Sequence, residues 1–387
     1  MNIFFFNSRT FLTREVVNAL KKKKGHRVIA VDIELSPDSS LVPSIIEHLR
    51  PYLPGLAIFI NNAGCDFRGE LYRALSESGS LIVNWYTDYP FYDECFHGRR
   101  MVPDHRRIDL VSEESYVDEM AERGFRAFFM PLATDTSFFN TDGEVEKQRD
   151  IAFVGNSSFE FLDSIVNEER SSELQKLLSL QADMKNRYFT DPRFDIRGFL
   201  KENRHLWEGK TNLEEQVLLF CIEWLAGYLY RRDFIKGIAE KYGSRFTCFG
   251  DPYWQNFIDP SLVSADACYY TNLCRYYRST RVNLNVNRIQ IRKSFTQRVF
   301  DCAASGSFLL TDRRECNTRF FKVSGADREM VQYDSLEECC DLIDYYLVHE
   351  EEREVIASAA RRKVLAEHTY DHRIDQIFEL CRKVWGI

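Results

Sequence analysis

Apolar and polar positions alternate regularly through residues 1–150 of the chain. Short apolar runs typical of strands are separated by amphipathic stretches with helical spacing. Strands are predicted at Ile3–Phe6, Arg27–Val31, Leu56–Ile60, Leu81–Trp85, Ile108–Ser112 and Ala127–Met130, and helices at Thr13–Lys24, Leu41–Leu49, Glu70–Ser76 and Tyr116–Arg123. Buried strands that alternate with helices indicate a parallel sheet that is covered on both faces.

A second α/β region follows a polar linker at residues 140–149. Its first strand is predicted at Asp150–Gly155, and alternation resumes at Phe246–Gly250, Val282–Val286, Phe308–Thr311 and Met330–Tyr333. In between, Phe161–Lys241 has mostly helical spacing, which indicates a helical insertion, and Ser335–Val384 is nearly all helical. Because 387 residues exceed a usual single core, we expect two tandem domains that bind ligands where loops follow strands.

Composition and charge exclude several classes of protein. A formal net charge of -8 argues against nucleic-acid binding, which depends on a basic face. The opening MNIFFFNSRT is typical of a strand and not of a signal peptide, and no apolar run is long enough to span a membrane. Eleven cysteines without a CxxC pair suit buried, reduced thiols. We expect a cytoplasmic protein with no membrane span.

Common ligand-binding motifs are missing from the sequence. There is no GxGxxG, no GxxxxGK[ST] and no HExxH, so the usual dinucleotide, P-loop and zinc-protease sites are not expected. His368 and His372 have a helical spacing that could hold a metal, but no fuller ligand set accompanies them. We predict no metal site and no bound cofactor.

Small polar residues follow the first strand of the second region. Gly155, Asn156 and Ser157 could let backbone amides approach an anion such as a diphosphate. They could equally form an ordinary strand-to-helix turn with a helix cap. Asp88, just after a strand of the first region, could act as a general base beside aromatic residues, or could simply belong to a turn before Pro90.

A helix is predicted in the stretch SFTQRVFDCAASGSFLLTD, with Ser294 as its cap and a break at Gly306. Arg298 and Asp301 on this helix could form an ion pair at the protein surface or could face a ligand. A helix start with Lys293 and Arg298 nearby suits phosphate, and Asp301 suits a ribose diol. Together these groups describe a site for a nucleoside diphosphate.

Several segments resemble the CgeB-like glycosyltransferases, whose motifs include a Y-x-x-x-x-(I/V)-x-L-N run and an R-x-F-E-x-x-A-x-G helix. The matching segments, in chain order, are WYTDYP at 85–90, MPLATD at 130–135, DIAFVG at 150–155, YYRSTRVNLN at 276–285, RVFDCAASG at 298–306 and HTYDHR at 368–373. The resemblance covers both ends and the middle of the chain and leaves Phe161–Lys241 without a counterpart.

The resemblance implies an α/β fold of the GT-B type, with two Rossmann-like domains that face a cleft. The expected boundaries are 1–145 for the acceptor-side domain and 146–365 for the nucleotide-sugar domain, which carries the helical insertion at about 160–241. Residues 366–387 are expected to form a C-terminal helix that returns to the first domain.

The resemblance also implies roles for individual residues, and these roles make the protein a metal-independent glycosyltransferase of the hexosyltransferase type. Asp301 would bind the ribose, Arg298 would neutralise the leaving diphosphate, and Asp88 would be the catalytic base. The rest of the expected donor site comprises Gly155, Asn156, Ser157, Asn285, Lys293, Ser294 and Gly306. Enzymes of the wider GT-B group often have two glutamates eight positions apart; here the later position is Asp301 and the earlier one is Lys293, which could contact phosphate but not replace a carboxylate.

The expected donor is a UDP-sugar or a similar nucleotide sugar, and the expected acceptor is a hydroxyl group of a protein or a cell-surface glycan. A homo-oligomer is left open. The main alternative is a non-catalytic module that binds a nucleotide sugar or a partner and keeps the fold; a sugar-nucleotide epimerase is a third hypothesis, for which no set of acids and a histidine can be assigned.

Overall fold

The structure is a computed structural model that describes residues 1–386 except 8–10, 35–37, 98–100, 183, 185, 188–190, 192, 212 and 266. The chain divides into two compact units. The first unit comprises residues 1–133 and 368–387, and the second comprises residues 134–367. The chain therefore leaves the first unit once and comes back to it.

The first unit is built on a parallel sheet of six strands in the order β2-β1-β3-β4-β5-β6. Its strands are β1 (Asn2–Asn7), β2 (Arg27–Asp32), β3 (Leu56–Ile60), β4 (Leu81–Tyr86), β5 (Arg107–Val111) and β6 (Ala127–Phe129). Its helices before the second unit are α1 (Thr13–Lys22), α2 (Val42–Leu49), α3 (Glu70–Glu77), α4 (Tyr92–His97) and α5 (Ser115–Glu122). The central strand β3 is buried along its whole length, as expected of a strand covered on both faces.

The C-terminal helix α15 (Tyr370–Trp385) covers one face of this sheet beside α1. Its apolar residues Ile374 and Ile377 join the same core as Trp85. The buried guanidinium of Arg373 donates to the carbonyls of Pro131 (2.8 Å) and Leu132. These bonds fix the segment after β6, where the chain leaves the first unit.

The second unit contains another six-stranded parallel sheet, in the order β12-β11-β10-β7-β8-β9. Its strands are β7 (Arg149–Val154), β8 (Phe246–Phe249), β9 (Val263–Ser264), β10 (Thr280–Asn285), β11 (Leu309–Asp312) and β12 (Val331–Tyr333). Its helices are α6 (Phe159–Ile165), α7 (Glu168–Leu180), α8 (Ile196–Glu202), α9 (Glu215–Tyr242), α10 (Leu273–Arg278), α11 (Arg298–Ala304), α12 (Glu315–Phe320), α13 (Leu336–Val348) and α14 (Glu350–Glu367). Parallel strands place their carboxyl ends at one edge, so the loops after β7, β8 and β10 share that edge.

The second unit begins at Thr134, earlier in the sequence than the expected start at residue 146. The predicted boundary after residue 145 falls inside this unit, because Phe139 packs against Tyr277 and Arg278 donates to the carbonyls of Thr141 and Asp142. Hydrophobicity alone does not reveal these contacts, because they join residues that are far apart in the sequence.

All eleven cysteines are free thiols, and eight of them are buried. Within the described residues, no helix combines the length and the apolarity needed to cross a bilayer.

Candidate functional site

The loop after β7 is fixed by hydrogen bonds to the loop after β8. The Ser157 backbone N–H and hydroxyl both donate to the Asp251 carboxylate, at 2.5 and 2.8 Å. The Gly155 N–H donates to the Phe249 carbonyl at 2.8 Å. The side chain of Asn156, between them, is exposed. Ser157 therefore holds the loop in place, and Asn156 is the predicted loop residue that faces solvent.

Gly250 and Gly155 allow close packing at the loop after β7. Gly250 lies against the backbone of this loop, and Gly155 lies against Arg298. A Cβ atom on Gly250 would lie 2.4 Å from the Gly155 carbonyl oxygen. A Cβ atom on Gly155 would lie 2.8 Å from Phe153 Cζ and 3.1 Å from Arg298 Nη2. The absence of a side chain at Gly155 thus leaves room for the guanidinium of Arg298 against the loop.

Arg298 forms no salt bridge with a carboxylate of the described residues. Its Nη1 is buried without a hydrogen-bond partner among them. Burial lowers the pKa of Arg298; the charge of Arg288 acts in the same direction, and Tyr277 and Asp301 only partly oppose them. A buried cationic donor without a partner is costly, and an anion placed against it would remove that cost.

Asp301 lies one turn after Arg298 on the same helix, α11, so both side chains lie on a similar face. Its buried carboxylate accepts hydrogen bonds from the Thr134 hydroxyl at 2.8 Å and from the Tyr269 hydroxyl at 3.0 Å. Gln297 Nε2 donates in turn to the Tyr269 oxygen. Two hydroxyl donors on one carboxylate are the arrangement that a ribose diol would also offer.

Thr134 and Tyr269 did not emerge as site residues from the sequence. Thr134 lies inside the MPLATD segment at 130–135. The resemblance identified this segment but gave Thr134 no role. Tyr269 lies in an irregular segment between β9 and α10 and had no sequence signal of its own.

The predicted helix start at Ser294 is wrong. α11 begins at Arg298, and its cap residue Gln297 makes no side-chain capping bond. The preceding residues are held instead by two asparagines: the Thr296 N–H donates to Asn287 Oδ1 at 3.0 Å, and its hydroxyl donates to Asn285 Oδ1 at 3.1 Å. Ser294 is buried, with its hydroxyl 3.9 Å from Cys316 Sγ.

The described contacts of Lys293 and Gly306 involve an acidic side chain and a helix end, respectively. Lys293 Nζ lies 3.8 Å from Glu315 on the protein surface. Gly306 follows the end of α11 with a left-handed φ of 68°, and the seven residues of the helix separate it from Arg298 by about 10 Å. Gly306 ends the helix, and Lys293 pairs with an acid.

Asn285 belongs to a buried polar network that joins the strand ends of this sheet. Its Nδ2 donates to Thr311 Oγ1 at 3.0 Å and to Asn287 Oδ1 at 3.1 Å, and its carbonyl accepts from the Tyr333 hydroxyl at 2.8 Å. Asn287 bonds in turn to Asp312. Asn285 therefore fixes the loop after β10, with both ends of its amide already bonded.

Asp88 lies in the first unit, in the loop after β4. Its Oδ2 accepts from Asn61 Nδ2 at 3.0 Å and from the Thr87 hydroxyl at 3.2 Å, and its side chain is exposed. Asn61 follows β3 and adopts a left-handed backbone with φ of 50°. Two neighbouring loops at the carboxyl edge of the first sheet thus orient a solvent-facing carboxylate.

Among the described residues, no group of three or more His, Cys, Asp and Glu side chains could hold a metal ion. His368 and His372 are both engaged: His368 Nδ1 accepts from Arg373 at 3.0 Å, and His372 Nδ1 contacts the Thr369 hydroxyl at 2.7 Å in a capping box.

Three solved structures match almost the whole chain at low sequence identity. Sucrose-phosphate synthase from Thermosynechococcus elongatus is 11% identical with a TM-score of 0.54, and the match covers 100% of this chain and 99% of that one. A glycosyltransferase from Rickettsia africae ESF-5 is 10% identical with a TM-score of 0.52, over 99% and 98% of the two chains. Anabaena HepE in complex with UDP-glucose is 10% identical with a TM-score of 0.50, over 99% and 100%.

The fold is GT-B. This finding confirms the predicted α/β architecture with two parallel sheets. At these identities the likeness concerns the fold alone.

A family model described as "Glycosyl transferase-like" matches residues 231–379. The matched segment includes Arg298 and Asp301, and it excludes Gly155 and Asp88. A search of curated protein sequences found no match to the chain.

Proposed function

We propose that this protein is a glycosyltransferase that takes a sugar from a nucleotide-activated donor, and that the second unit binds the donor. The observation that carries the proposal is the guanidinium of Arg298, which lies against Gly155 and whose buried Nη1 has no hydrogen-bond partner among the described residues. Asp301, one turn later, presents a carboxylate to hydroxyl donors. A cation and a hydroxyl acceptor on one helix face suit the diphosphate and the ribose of a single ligand.

The chemistry of sugar transfer makes use of such a cation. As the bond between the sugar and the diphosphate breaks, negative charge builds up on the leaving diphosphate, and a fixed arginine stabilises that charge without reorganising. Arg298 would supply this stabilisation, so the reaction would proceed as a metal-independent transfer. The "Glycosyl transferase-like" match over this helix and the GT-B fold support the assignment.

The donor that we propose is a UDP-sugar carrying a hexose. Anabaena HepE, which shares the fold, was solved in complex with UDP-glucose. The matched segments in the sequence favour the CgeB-like branch of glycosyltransferases. Asp88 in the first unit would deprotonate the acceptor hydroxyl, which would belong to a protein or a cell-surface glycan.

A second candidate is a non-catalytic protein that binds a nucleotide sugar. Lys293 favours it, because a lysine paired with Glu315 stands where the wider GT-B group often has an acid. The two functions differ in one property: only a transferase slowly hydrolyses its own donor.

The test is thermal unfolding of the protein with a panel of UDP-, GDP- and dTDP-sugars, followed by an assay for donor hydrolysis. We expect one nucleotide class to raise the unfolding temperature and its sugar to be released slowly. Stabilisation without any sugar release favours the binding protein. A panel that neither stabilises the protein nor is consumed overturns both candidates.

A further inference from the structure

Helix α9 holds the loop after β10 along one of its faces. Arg231 Nη2 donates to the Val286 carbonyl at 2.8 Å, and its Nη1 donates to the Asn156 carbonyl at 3.3 Å. One arginine therefore ties together the loops after β7 and β10. One turn earlier on the helix, a Cβ atom on Gly227 would lie 2.5 Å from Ile289 Cγ2, so only glycine permits this close approach.

The same face of α9 continues with charged and aromatic contacts. The buried carboxylate of Glu223 accepts from Arg292 Nη2 and from Arg197 Nε, both at 2.7 Å. The ring of Trp224 lies 5.2 Å from the guanidinium carbon of Arg288. The loop is thus attached to α9 at residues 286, 288, 289 and 292, and its position depends on this helix.

Arg288 is held in a way that leaves its hydrogen-bond donors available. Its guanidinium carbon lies over the Trp224 ring, and a cation–π contact needs none of the N–H groups. Among the described residues, no carboxylate forms an ion pair with Arg288, and the same holds for Arg298. Arg288 follows Val286 by two residues, and Val286 is tied through Arg231 to the loop whose Gly155 contacts Arg298.

We propose that Arg288 is a second cation of the donor site and that Trp224 is the residue that positions it for the diphosphate. The inference rests on the proposed function. It adds helix α9, which carries Trp224, to the elements that form the donor site. Arg288 in the loop after β10 and Arg298 at the start of α11 are both cations, and an anion that bridges them removes their mutual repulsion. In this arrangement each phosphate of a diphosphate binds one of the two arginines, whereas a monophosphate binds only one of them. The site therefore favours nucleoside diphosphates over monophosphates.

The test compares the affinities of the protein for UDP and UMP, or for the corresponding pair of whichever nucleotide stabilises it. Trp224→Leu and Arg288→Ala should each reduce the preference for the diphosphate by about tenfold and leave monophosphate affinity within about twofold, since charge-assisted hydrogen bonds are lost. Trp224→Phe retains an aromatic face and should restore most of the preference. The double variant Trp224→Leu/Arg288→Ala should be no worse than Arg288→Ala alone, because the tryptophan acts through the arginine.

Tyr228→Leu is the matched control. Tyr228 is a buried aromatic residue of the same helix whose described contacts are with Phe159, Arg232 and Phe257, all outside the loop after β10. We expect it to lower thermal stability without changing the diphosphate preference.

Three results overturn the inference. The first is an unchanged preference in Trp224→Leu while nucleotide binding is intact. The second is additive losses in the double variant, and the third is an equal loss in Tyr228→Leu. A wild-type protein that binds no nucleotide of any base overturns the proposed function itself, and this inference falls with it.

Discussion

The Thr134 hydroxyl donates a 2.8 Å hydrogen bond to one carboxylate oxygen of Asp301. The other oxygen accepts from Tyr269, so both oxygens already have hydroxyl partners. A carboxylate has about four acceptor positions, so a ribose diol can bind while these hydroxyls stay in place. The two partners fix the orientation of Asp301, and under the proposed function this lowers the entropy cost of binding a nucleotide.

Asp301→Asn should weaken nucleotide binding by about 10- to 100-fold, because a neutral amide replaces a charged acceptor. The comparison of UDP with its 2′,3′-dideoxy analogue by calorimetry isolates the ribose contact. The wild type should prefer UDP, and the variant should bind both equally. Asp259→Asn, which changes an exposed helix cap to another good cap residue, is the control. A variant that still discriminates between the two ligands would refute the ribose contact.

Arg298→Met should lose nucleotide affinity by about tenfold or more and leave the ligand-free protein equally stable or more stable. Burial lowers the pKa of Arg298, so the folded protein bears a cost for the charge that an apolar chain of similar length removes. Thermal unfolding with and without nucleotide measures both effects. Arg313→Met, which removes a surface ion pair with Asp334, should leave affinity unchanged. A strongly destabilised Arg298→Met protein would indicate a structural role.

Gly155→Ala should mainly lower nucleotide affinity, and Gly250→Ala should mainly lower the stability of the fold. The new methyl at Gly155 meets the flexible Arg298 and one edge of Phe153, so nucleotide affinity should fall with a loss of stability of about 1–2 kcal/mol. The methyl at Gly250 meets the Gly155 carbonyl at 2.4 Å, and backbone cannot move aside as a side chain can, so this variant should be the less stable one. Denaturant unfolding gives the order, and the opposite order would contradict the described packing.

Asp88→Asn should keep donor affinity and lose turnover by about 10²- to 10⁴-fold, the usual contribution of a general base. Asparagine can still accept from Asn61 and Thr87, so the loop geometry should persist. Transfer rate and donor dissociation constant are measured separately. Asp118→Asn, on the exposed side of α5, serves as the control. Loss of donor binding together with turnover would show that Asp88 does not have the separate role proposed for it.

Glu223→Gln should destabilise the protein at neutral pH and flatten its response to acid. Burial raises the pKa of Glu223, but the charges of Arg197 and Arg292 outweigh this effect and hold the pKa below the usual value of 4.5. Because the folded pKa is the lower one, the carboxylate contributes stability above pH 4.5 and loses that contribution as the pH falls through the folded value. Unfolding temperatures from pH 7 down to pH 3 test this, and equal slopes for both proteins below pH 4.5 would exclude Glu223 as a cause.

Periodicity was enough to predict most of the regular structure. Leu56–Ile60 has the bounds that its apolar run predicted. A strand buried on both faces is apolar at every position, so the apolar run and the strand begin and end together. The two-residue strand β9 and the six-residue helix α4 were missed, since neither is long enough to show a period. The helix at Ser294 was placed too early because Asn285 and Asn287 bind the residues before Arg298, a contact that local propensity does not contain.

The candidate site was only partly predictable. The resemblance indicated Arg298 and Asp301, and both lie on one helix face. The contact between Arg298 and Gly155 depends on the pairing of β7 with β10, which brings together residues more than a hundred positions apart. The contacts of Thr134, Tyr269 and Arg288 are likewise long-range, so no spacing rule along the chain reveals them.

The first unit is made of two separate segments of the chain, and this affects how it folds during synthesis. Ile374, Ile377 and Cys381 of α15 belong to the same core as β1 and β3, yet the ribosome makes them after all of residues 134–367. The nascent sheet of residues 1–133 must therefore wait with one face partly uncovered while the second unit emerges and folds. At an elongation rate of about 5–20 residues per second, that wait is on the order of 10–50 s. During translation this exposed apolar face is the surface that a chaperone would recognise.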